Sequence, residues 1–496
     1  MKKFKKIIAA ALALCMTGCS MPGSKHTLTI HMNFFGYCVY NNDWPIFKEA
    51  EKKTGIALKG TTDNVNSFTA FNTMLSSKKL PDIIHFQADY LNKAGQKGSL
   101  IPLNDLIEEH APHIKEIFDK YEYIKNAVTA PDGNIYYIPY LAFDPKDSIQ
   151  PSKAFFIRTD WLDKLGLETP KTVDEYKNVL KAFKEGDPNG NGLADEVPYF
   201  ERGDEFIGLY QLFGAKVDFN IYNSDTVKRG EIQPEFKNAV KNLAQWYKEG
   251  LVYSEIYTSG QSVLDQLFSD NRAGSTFDWI SSTSSYNGLY AKSIPGLKFE
   301  SMLPPADING NVKCDISRSC VNNLGWGISK DNKYPEQTMK YFDFWMSKEG
   351  EILQSYGVEN VHYTKENGKY KYKKEVLNAK GGVPTYMRTQ GQVEIGVVRD
   401  INSEILGMNK IGRQAFESYK GVIREAMPYL PFSSSEQEII DKYLPPIELY
   451  IDKSVRSWIM GNSDVESEWD EYLKEIDRLG MNKIEKIYNA AYVRYN

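Results

Sequence analysis

The sequence contains few of the residues that build disulfide frameworks and metal centres: five cysteines and six histidines among 496 residues. Five cysteines are few, and their number is odd, which argues against a disulfide framework. Cys314 and Cys320 are near enough in sequence to bridge a short loop, and a pair of buried free thiols is the alternative. His110 and His113 are separated by a proline, which argues against a zinc-binding helix of the H-E-x-x-H type, and no G-x-S-x-G motif occurs.

Long apolar runs are missing after residue 20, so no later segment is predicted to cross a bilayer, which takes about 20 residues. The N-terminus has four lysines among its first six residues, then the short apolar run Ile7–Leu14, and then Met16-Thr17-Gly18-Cys19. This order is typical of a signal peptide, and small residues before a cysteine resemble a bacterial lipoprotein cleavage box. We predict that residues 1–18 are removed, that Cys19 carries lipid and that residues 19–27 form a tether. An ordinary secretory signal with an incidental cysteine is the alternative.

Basic residues are not in excess. The net charge is −5, and removal of residues 1–18, which carry four lysines and no acids, gives −9. An acidic surface argues against nucleic acid and anionic lipid as partners. The lipid on Cys19 is then the only predicted membrane contact, at the extracytoplasmic face of the bacterial cell membrane. Tyrosine is abundant, with 32 residues, and its apolar face and polar edge suit sugars as well as protein cores.

One short segment has the pattern of a calcium-binding loop. In residues 187–196, side-chain oxygens occur at alternating positions and a glycine follows, as in the first nine positions of an EF-hand loop. The twelfth position is Pro198, so the closing glutamate of that motif is missing, and residues 197–199 are predicted to leave the loop as an extended segment. The predicted calcium ligands are Asp187, Asn189, Asn191, Leu193 through its carbonyl, Asp195 and Glu196. A turn rich in Gly, Asn and Asp that binds nothing is the alternative.

Strands and helices alternate near the start of the mature chain, which predicts an α/β unit with a largely parallel sheet. Helical patterns dominate from Arg158 onward, including a capping box at Thr172 and Glu175. Residues 297–300 and 324–328 are predicted to be strands that return to the first unit, and the last 150 residues are predicted to be mostly helical.

Several of these stretches, in order, resemble the extracellular solute-binding protein family 1 of bacterial ABC importers. The closer resemblance is to its large lipoprotein branch, which serves oligosaccharides and includes alginate-binding proteins with a calcium loop of this kind. The stretches that carry the resemblance are the N-terminal lipoprotein pattern, Asp132-Gly133, residues 158–167, residues 187–196, residues 356–364 and residues 469–496.

The resemblance implies an α/β, bilobal, periplasmic-binding-protein-like fold of type II, with a hinge and a mostly helical C-terminal part. Lobe 1 is expected to comprise residues 28–154 with 299–345, and lobe 2 residues 155–298 with most of 346–496. A carbohydrate, expected to be an oligosaccharide, would bind between the lobes, close them and be delivered to an ABC permease. The resemblance also implies a monomer, a structural Ca²⁺ ion and no enzymatic activity.

Sugar-binding residues follow from the same resemblance. Trp279 is expected to stack on a pyranose ring, and Asp278 to accept hydrogen bonds from sugar hydroxyls. Further candidates, placed at strand ends or in loops, are Tyr37, Trp44, Tyr140 and Trp326. Arg318 and Arg388 are expected to pair with a uronate if the ligand is acidic. For each tryptophan, a position in the protein core is the alternative to ligand binding.

Two other functions stay open at this point. A lipid-anchored enzyme that degrades polysaccharides would need two carboxylates about 5 to 9.5 Å apart, and so many acids do not exclude this. A peptide-binding receptor of the same fold is the second alternative, because aromatic clusters favour sugar without excluding peptide.

Overall fold

In the computed structural model, the described residues are 26–32, 39–61, 67–77, 79–147, 149–201, 206–223, 225–258, 260–315, 317–379, 382–424 and 427–496. Cys15, Cys19, Tyr37 and Cys38 lie outside them, as do the predicted signal peptide and most of the tether.

The described part of the chain contains fifteen strands. They are β1 (His26–Met32), β2 (Ile56–Thr61), β3 (Ile83–Phe86), β4 (Ile138–Leu141), β5 (Ile149–Pro151), β6 (Lys153–Arg158), β7 (Val197–Tyr199), β8 (Phe219–Tyr222), β9 (Thr226–Arg229), β10 (Ala273–Trp279), β11 (Phe299–Met302), β12 (Ser317–Ser319), β13 (Val321–Ile328), β14 (Tyr363–Glu366) and β15 (Lys369–Tyr372).

The same residues form twenty-two α-helices. They are α1 (Pro45–Thr54), α2 (Ser67–Leu75), α3 (Ala88–Gln96), α4 (Asn104–His110), α5 (Pro112–Lys120), α6 (Glu122–Val128), α7 (Thr159–Leu165), α8 (Val173–Glu185), α9 (Ile207–Tyr210), α10 (Pro234–Lys248), α11 (Gln261–Ser269), α12 (Ile280–Thr283), α13 (Tyr286–Tyr290), α14 (Pro335–Met346), α15 (Lys348–Tyr356), α16 (Lys374–Leu377), α17 (Gly382–Arg388), α18 (Ile401–Gly407), α19 (Lys410–Tyr419), α20 (Ser434–Ile459), α21 (Val465–Leu479) and α22 (Met481–Tyr495).

The first large sheet has the strand order β2-β1-β3-β13-β4. β1 pairs in parallel with β2 and β3, while β13 runs antiparallel to both β3 and β4. Apolar side chains from the sheet and its helices form one core, in which the Trp326 ring stacks on Phe342 with centroids 4.5 Å apart. We call the structure around this core the first lobe.

The second large sheet has the order β11-β6-β10-β7 and a core of its own. Helix α19 is tied to this sheet through Tyr419, whose hydroxyl accepts from the Phe155 N–H and donates to the Met302 carbonyl, both at 2.8 Å. Helices α20 to α22 pack on the same core. We call this part the second lobe. The predicted α/β class is confirmed by these two sheets.

A short antiparallel ribbon, β5 with β12, connects the lobes. β4 of the first sheet leads into β5 and then β6 of the second, and β12 leads back into β13 of the first. The two crossing strands are hydrogen-bonded to each other, with Gln150 opposite Arg318. Two paired strands at a lobe boundary form a compact hinge, which we call the hinge ribbon.

One part of the predicted lobe division is wrong. β11 (Phe299–Met302) pairs with β6 in the second sheet and does not return to the first lobe. Helices α15 to α17 and the hairpin β14–β15 belong to the first core, while the described residues of 408–496, the larger part of 346–496, pack on the second core as expected. Long-range packing decides the placement of β11, and local sequence patterns do not report it.

Predictions from local sequence patterns agree better with the structure. Half of the predicted capping box forms at the start of α8: the Thr172 hydroxyl accepts from the Glu175 N–H at 3.2 Å, whereas the Glu175 carboxylate accepts from the Lys171 N–H at 2.7 Å and not from Thr172. Helix α7 ends at Gly166, which has φ +66°, a left-handed conformation that glycine adopts without strain. Arg158 donates to both carboxylate oxygens of Asp160, at 2.8 and 2.7 Å, and lies over the Trp161 ring. The 158–167 stretch that carries the family resemblance therefore has a structural role.

Two further questions are settled within the described residues. Cys314 and Cys320 are both buried thiols that are not joined by a disulfide, so the thiol alternative holds. Burial raises the pKa of the Cys320 thiol to about 12, which keeps it protonated and unreactive. Among the described helices, none combines the length and the hydrophobicity that crossing a bilayer requires.

Candidate functional site

The edges of both large sheets meet the hinge ribbon. In the first sheet this edge is formed by the ends of β3 and β4 and the start of β13. In the second sheet β10 runs antiparallel to β6, so that Trp279 at its end lies opposite Lys153 at the start of β6. Ligands of open α/β sheets bind outside the carboxyl ends of the strands. The space between the two edges is therefore the candidate ligand cleft.

Trp279 is placed where a stacking residue is needed. It is the last residue of β10, directly before α12, and is 44% exposed although the rest of the strand is buried. The Lys153 ammonium lies 5.5 Å from the centre of the indole ring. The exposed ring can offer a flat apolar face to a ligand, and the neighbouring cation can interact with polar groups around it.

Asp278 has a different role from the one expected. The side chain is 2% exposed, and its carboxylate accepts from the Trp279 N–H at 2.8 Å and from the Thr283 hydroxyl at 2.9 Å. These bonds hold the turn between β10 and α12. Asp278 therefore positions the tryptophan, and in this conformation it does not face a ligand.

Three aromatic candidates are wrong as exposed binding surfaces, because the first core buries them. Trp44 packs against Tyr40 and Phe47, and Trp326 stacks on Phe342. Tyr140 is buried, and its hydroxyl accepts from Arg399 at 3.4 Å. An aromatic near a strand end faces either the core or the cleft, and the sequence does not indicate which. The remaining aromatic candidate, Tyr37, lies outside the described residues.

The two arginine candidates differ in their surroundings. Arg388 is exposed at the end of α17. Arg318, in the hinge ribbon, donates to the half-buried Glu404 carboxylate at 3.0 Å. Despite burial, the nearby guanidinium groups of Arg318 and Arg399 hold the pKa of Glu404 below its usual value, so the pair is ionised. The Arg318 charge is thus already balanced inside the protein.

A cavity of about 390 Å³ opens beside the hinge ribbon, between the start of α3 in the first lobe and α22 in the second. Its volume falls in the usual range for ligand pockets. Trp279 does not line it. The lining residues are Asp89, Arg318, Ser319, Val321, Asn322, Asn323, Met427, Pro428, Tyr429, Leu430, Phe432 and Tyr488.

Asp89 is the acidic group in this lining, and the sequence analysis missed it. It lies three residues after the end of β3, at the cleft edge of the first sheet. Its carboxylate accepts from the Tyr429 hydroxyl and from the Asn323 amide, the latter at 3.1 Å. Burial raises the pKa of Asp89 to about 6, against the lowering effect of these two hydrogen bonds. A polar residue within a few positions of the end of a buried strand is the signal that could have identified it.

The predicted calcium loop joins α8 to β7 and is folded around Asp187. The Asp187 carboxylate accepts from the backbone N–H groups of Gly190, Asn191 and Gly192, each at 3.0 Å. Gly190 and Gly192 both have φ +76°, which favours glycine at these turns. The chain then leaves in an extended conformation through β7 (Val197–Tyr199), as predicted.

The other polar residues of the loop converge on the same place. The amide groups of Asn189 and Asn191 both donate to Oδ1 of Asp195, at 3.0 and 3.1 Å. Leu193 is exposed, and Arg272 donates to the Asp195 carbonyl at 2.7 Å. These contacts draw the two ends of the loop together around oxygen-bearing side chains.

Glu196 shows whether these residues suit a cation. Its side chain is 9% exposed, and among the described residues its carboxylate has no side-chain partner, only the backbone N–H groups of Glu196 itself and Asn189. Burial raises the pKa of Glu196 against the lowering effect of these two N–H groups, and the charges of Asp195 and Asp187 raise it further. A buried carboxylate without a cationic partner is destabilising unless a cation or proton neutralises it. No described group of three or more His, Cys, Asp or Glu side chains is arranged to hold a metal by itself, so asparagine and carbonyl oxygens would have to complete this site.

Comparison with known proteins gives consistent matches. A family model for bacterial extracellular solute-binding proteins matches residues 46–356, more than half of the chain. The fructooligosaccharide ABC transporter substrate-binding protein FusA of Streptococcus pneumoniae is 28% identical over 509 residues, which cover 92% of this chain and 87% of FusA. Lipoprotein LipO of Bacillus subtilis is 24% identical over 521 residues, which cover 98% of each chain.

Among solved structures, that of alginate-binding protein AlgQ2 without calcium ion is similar over nearly the whole molecule. The TM-score is 0.84 and the sequence identity 35%, with 95% of this chain and 98% of AlgQ2 covered. The similarity therefore includes both lobes and the hinge ribbon.

Proposed function

Because the chain belongs to the family of bacterial extracellular solute-binding proteins, we propose that it is the substrate-binding lipoprotein of an ABC importer and captures an oligosaccharide between its lobes. The observation that carries the proposal is the exposed Trp279 ring at the cleft edge of the second sheet, next to the hinge ribbon. Contacts that a ligand makes only when both lobes surround it would stabilise the closed form.

A carbohydrate is the ligand class that these features favour. A sugar ring presents a C–H face to an indole and hydroxyls to surrounding polar groups. Stacking on Trp279 would contribute about 0.5–1.5 kcal/mol beyond the burial of apolar area, by analogy with aromatic pairs. The names of FusA and AlgQ2 record a fructooligosaccharide and alginate as their ligands, which supports the same class here.

The calcium loop forms the second part of the proposal. Asp187, Asn189, Asn191, Asp195 and Glu196, with the Leu193 carbonyl, would hold Ca²⁺. The buried Glu196 carboxylate, which has no side-chain partner among the described residues, supports this assignment. A bound ion would neutralise the three carboxylates and fix the connection between α8 and β7, so its role would be structural.

Membrane attachment forms the third part. Cleavage before Cys19 and lipidation of its thiol would hold the protein as a monomer on the outer face of the cell membrane, within reach of a permease. Similarity to lipoprotein LipO supports this location. A Cys19→Ala variant, compared with the wild type by cell fractionation, is expected to leave the membrane fraction, and retention there would contradict the anchor.

A ligand screen tests the main proposal and its two alternatives together. The body of the protein, residues 25–496, is screened by thermal shift against neutral oligosaccharides, uronate oligosaccharides and peptides, and every stabilising compound is recovered and analysed. A glycan recovered intact supports a transport receptor. A glycan recovered cleaved would replace the proposal with the enzyme, and stabilisation by peptides alone would replace the sugar with a peptide.

A further inference from the structure

The cavity beside the hinge ribbon has an uneven charge distribution. Among its described lining residues, Asp89 is the only acid and Arg318 the only base. The two are not equivalent, because the Arg318 guanidinium is bound to Glu404 at 3.0 Å, whereas Asp89 accepts from the uncharged groups of Tyr429 and Asn323.

The nearest cation on the same helix does not neutralise the Asp89 carboxylate either. Lys93, one turn along α3, is paired with Asp441 of α20, and the Asp441 charge raises the pKa of Asp89 further. A ligand that enters this cavity therefore meets one carboxylate without a cationic partner and one arginine whose charge is already balanced.

We infer that this cavity selects uncharged glycans over uronate glycans, a conclusion that rests on the proposed function and narrows its substrate class. A carboxylate has about four acceptor positions, and the Tyr429 and Asn323 bonds occupy two of those on Asp89. Sugar hydroxyls can donate to the others. A uronate in the same place would bring two negative charges together, and like charges side by side are strongly unfavourable.

The Arg318–Glu404 pair is the second element of this selectivity. With Glu404 present, an anionic ligand would have to compete with an ion pair formed inside the protein. The Arg399 charge also acts on Glu404, but Arg399 is not part of the lining and already donates to Gln392 at 2.8 Å. The pairing of Arg318 with Glu404 argues against the predicted role of Arg318 as a partner for a uronate.

The test compares matched ligands. Tetrasaccharides of glucose, mannose and galactose and the corresponding uronate tetrasaccharides differ at C6 only, and their Kd values are measured by titration calorimetry at pH 7.5. We expect at least one neutral member to bind, about tenfold or more tightly than its uronate counterpart. Equal or tighter binding of the uronates would overturn the inference and leave the proposed function standing. Binding of no glycan here or in the wider screen would overturn both.

Two variants assign the selectivity to these residues. Asp89→Asn is expected to weaken neutral-glycan binding about tenfold and to reduce the preference over uronates. Glu404→Gln, which releases Arg318, is expected to strengthen uronate binding about tenfold and to change neutral binding less than about twofold. Asp270→Asn, at an exposed position at the end of α11, serves as the matched control. If Glu404→Gln does not fold, the comparison of Asp89→Asn with the wild type tests the inference. An unchanged preference for neutral over uronate glycans in Asp89→Asn would contradict it.

Discussion

At the scale of single residues, the main result is that burial separates residues with similar sequence contexts. Trp279 and Trp326 were both predicted to face a ligand, yet one is 44% exposed at a strand end and the other lies inside the first core. Sequence identifies the ring and its approximate location near a strand end. Which face of the sheet the ring points to depends on helices from elsewhere in the chain, such as α14, which supplies Phe342.

This contrast predicts opposite phenotypes for two tryptophan variants. Trp326→Ala leaves a large cavity in the core and is expected to lower the free energy of unfolding by about 3–5 kcal/mol. Trp279→Ala removes an exposed ring and is expected to lower it by less than about 1 kcal/mol. Denaturant unfolding followed by circular dichroism measures both. Similar losses in the two variants would contradict the assigned locations.

The raised pKa of Asp89 predicts a pH dependence of stability. Because folding raises this pKa from 3.8 to about 6, the protonated carboxyl stabilises the fold fully below the lower value, and the contribution disappears as the pH rises through the higher one. The free energy of unfolding of the wild type relative to Asp89→Asn should therefore fall by about 1–3 kcal/mol between about pH 4 and pH 7.

His362 has the opposite tendency. Burial lowers its pKa, so its neutral form stabilises the fold at higher pH, but the residue is present in both proteins and its effect cancels in the comparison. Urea unfolding at four pH values measures the difference between wild type and Asp89→Asn. A difference that stays constant with pH would contradict the environment assigned to Asp89.

At the scale of elements, local motifs transferred well from sequence to structure. The hydroxyl cap at Thr172 and the extended exit from the 187–196 loop depend on a few neighbouring residues, and both form as predicted. The last 150 residues are mostly helical, as predicted, and they end in two helices, α21 and α22, because the chain turns at Gly480 with φ +111°. The predicted lobe of β11 is wrong, because the strands that pair with it lie far away in the sequence.

The loop 187–196 provides a prediction at this scale. If it holds Ca²⁺, EDTA should lower the melting temperature of the wild type, and calcium at 100 times its Kd should contribute about 2.7 kcal/mol of stability. Glu196→Gln is expected to lose most of this response and to be at least as stable as the wild type in EDTA, because the variant buries no charge.

The control for this experiment is Asp270→Asn, which should keep the full response to EDTA. Differential scanning calorimetry with and without calcium measures all three proteins. If the wild type shows no shift with EDTA at any calcium concentration, the loop is a turn that binds no metal.

At the scale of the whole molecule, two sheets with separate cores are joined by the hinge ribbon, and the strand edges that face it bear the exposed ring and the cavity. The predicted bilobal α/β fold is confirmed by similarity to AlgQ2 over 95% of the chain. The family could be identified from sequence because its motifs are local and ordered. The site was predicted only partly, because Asp89, Asn323 and Tyr429 come from three distant parts of the chain.

The most direct test of the central claim is calorimetric titration of the stabilising glycan into four proteins, with the glycan recovered afterwards. The wild type should bind one equivalent and return it intact. Trp279→Ala should bind about tenfold more weakly, Trp279→Phe should recover most of the affinity, and Leu289→Ala, a change at another exposed apolar residue of the same lobe, should match the wild type. Cleaved glycan, or unchanged affinity in Trp279→Ala, would contradict capture of an oligosaccharide at this cleft.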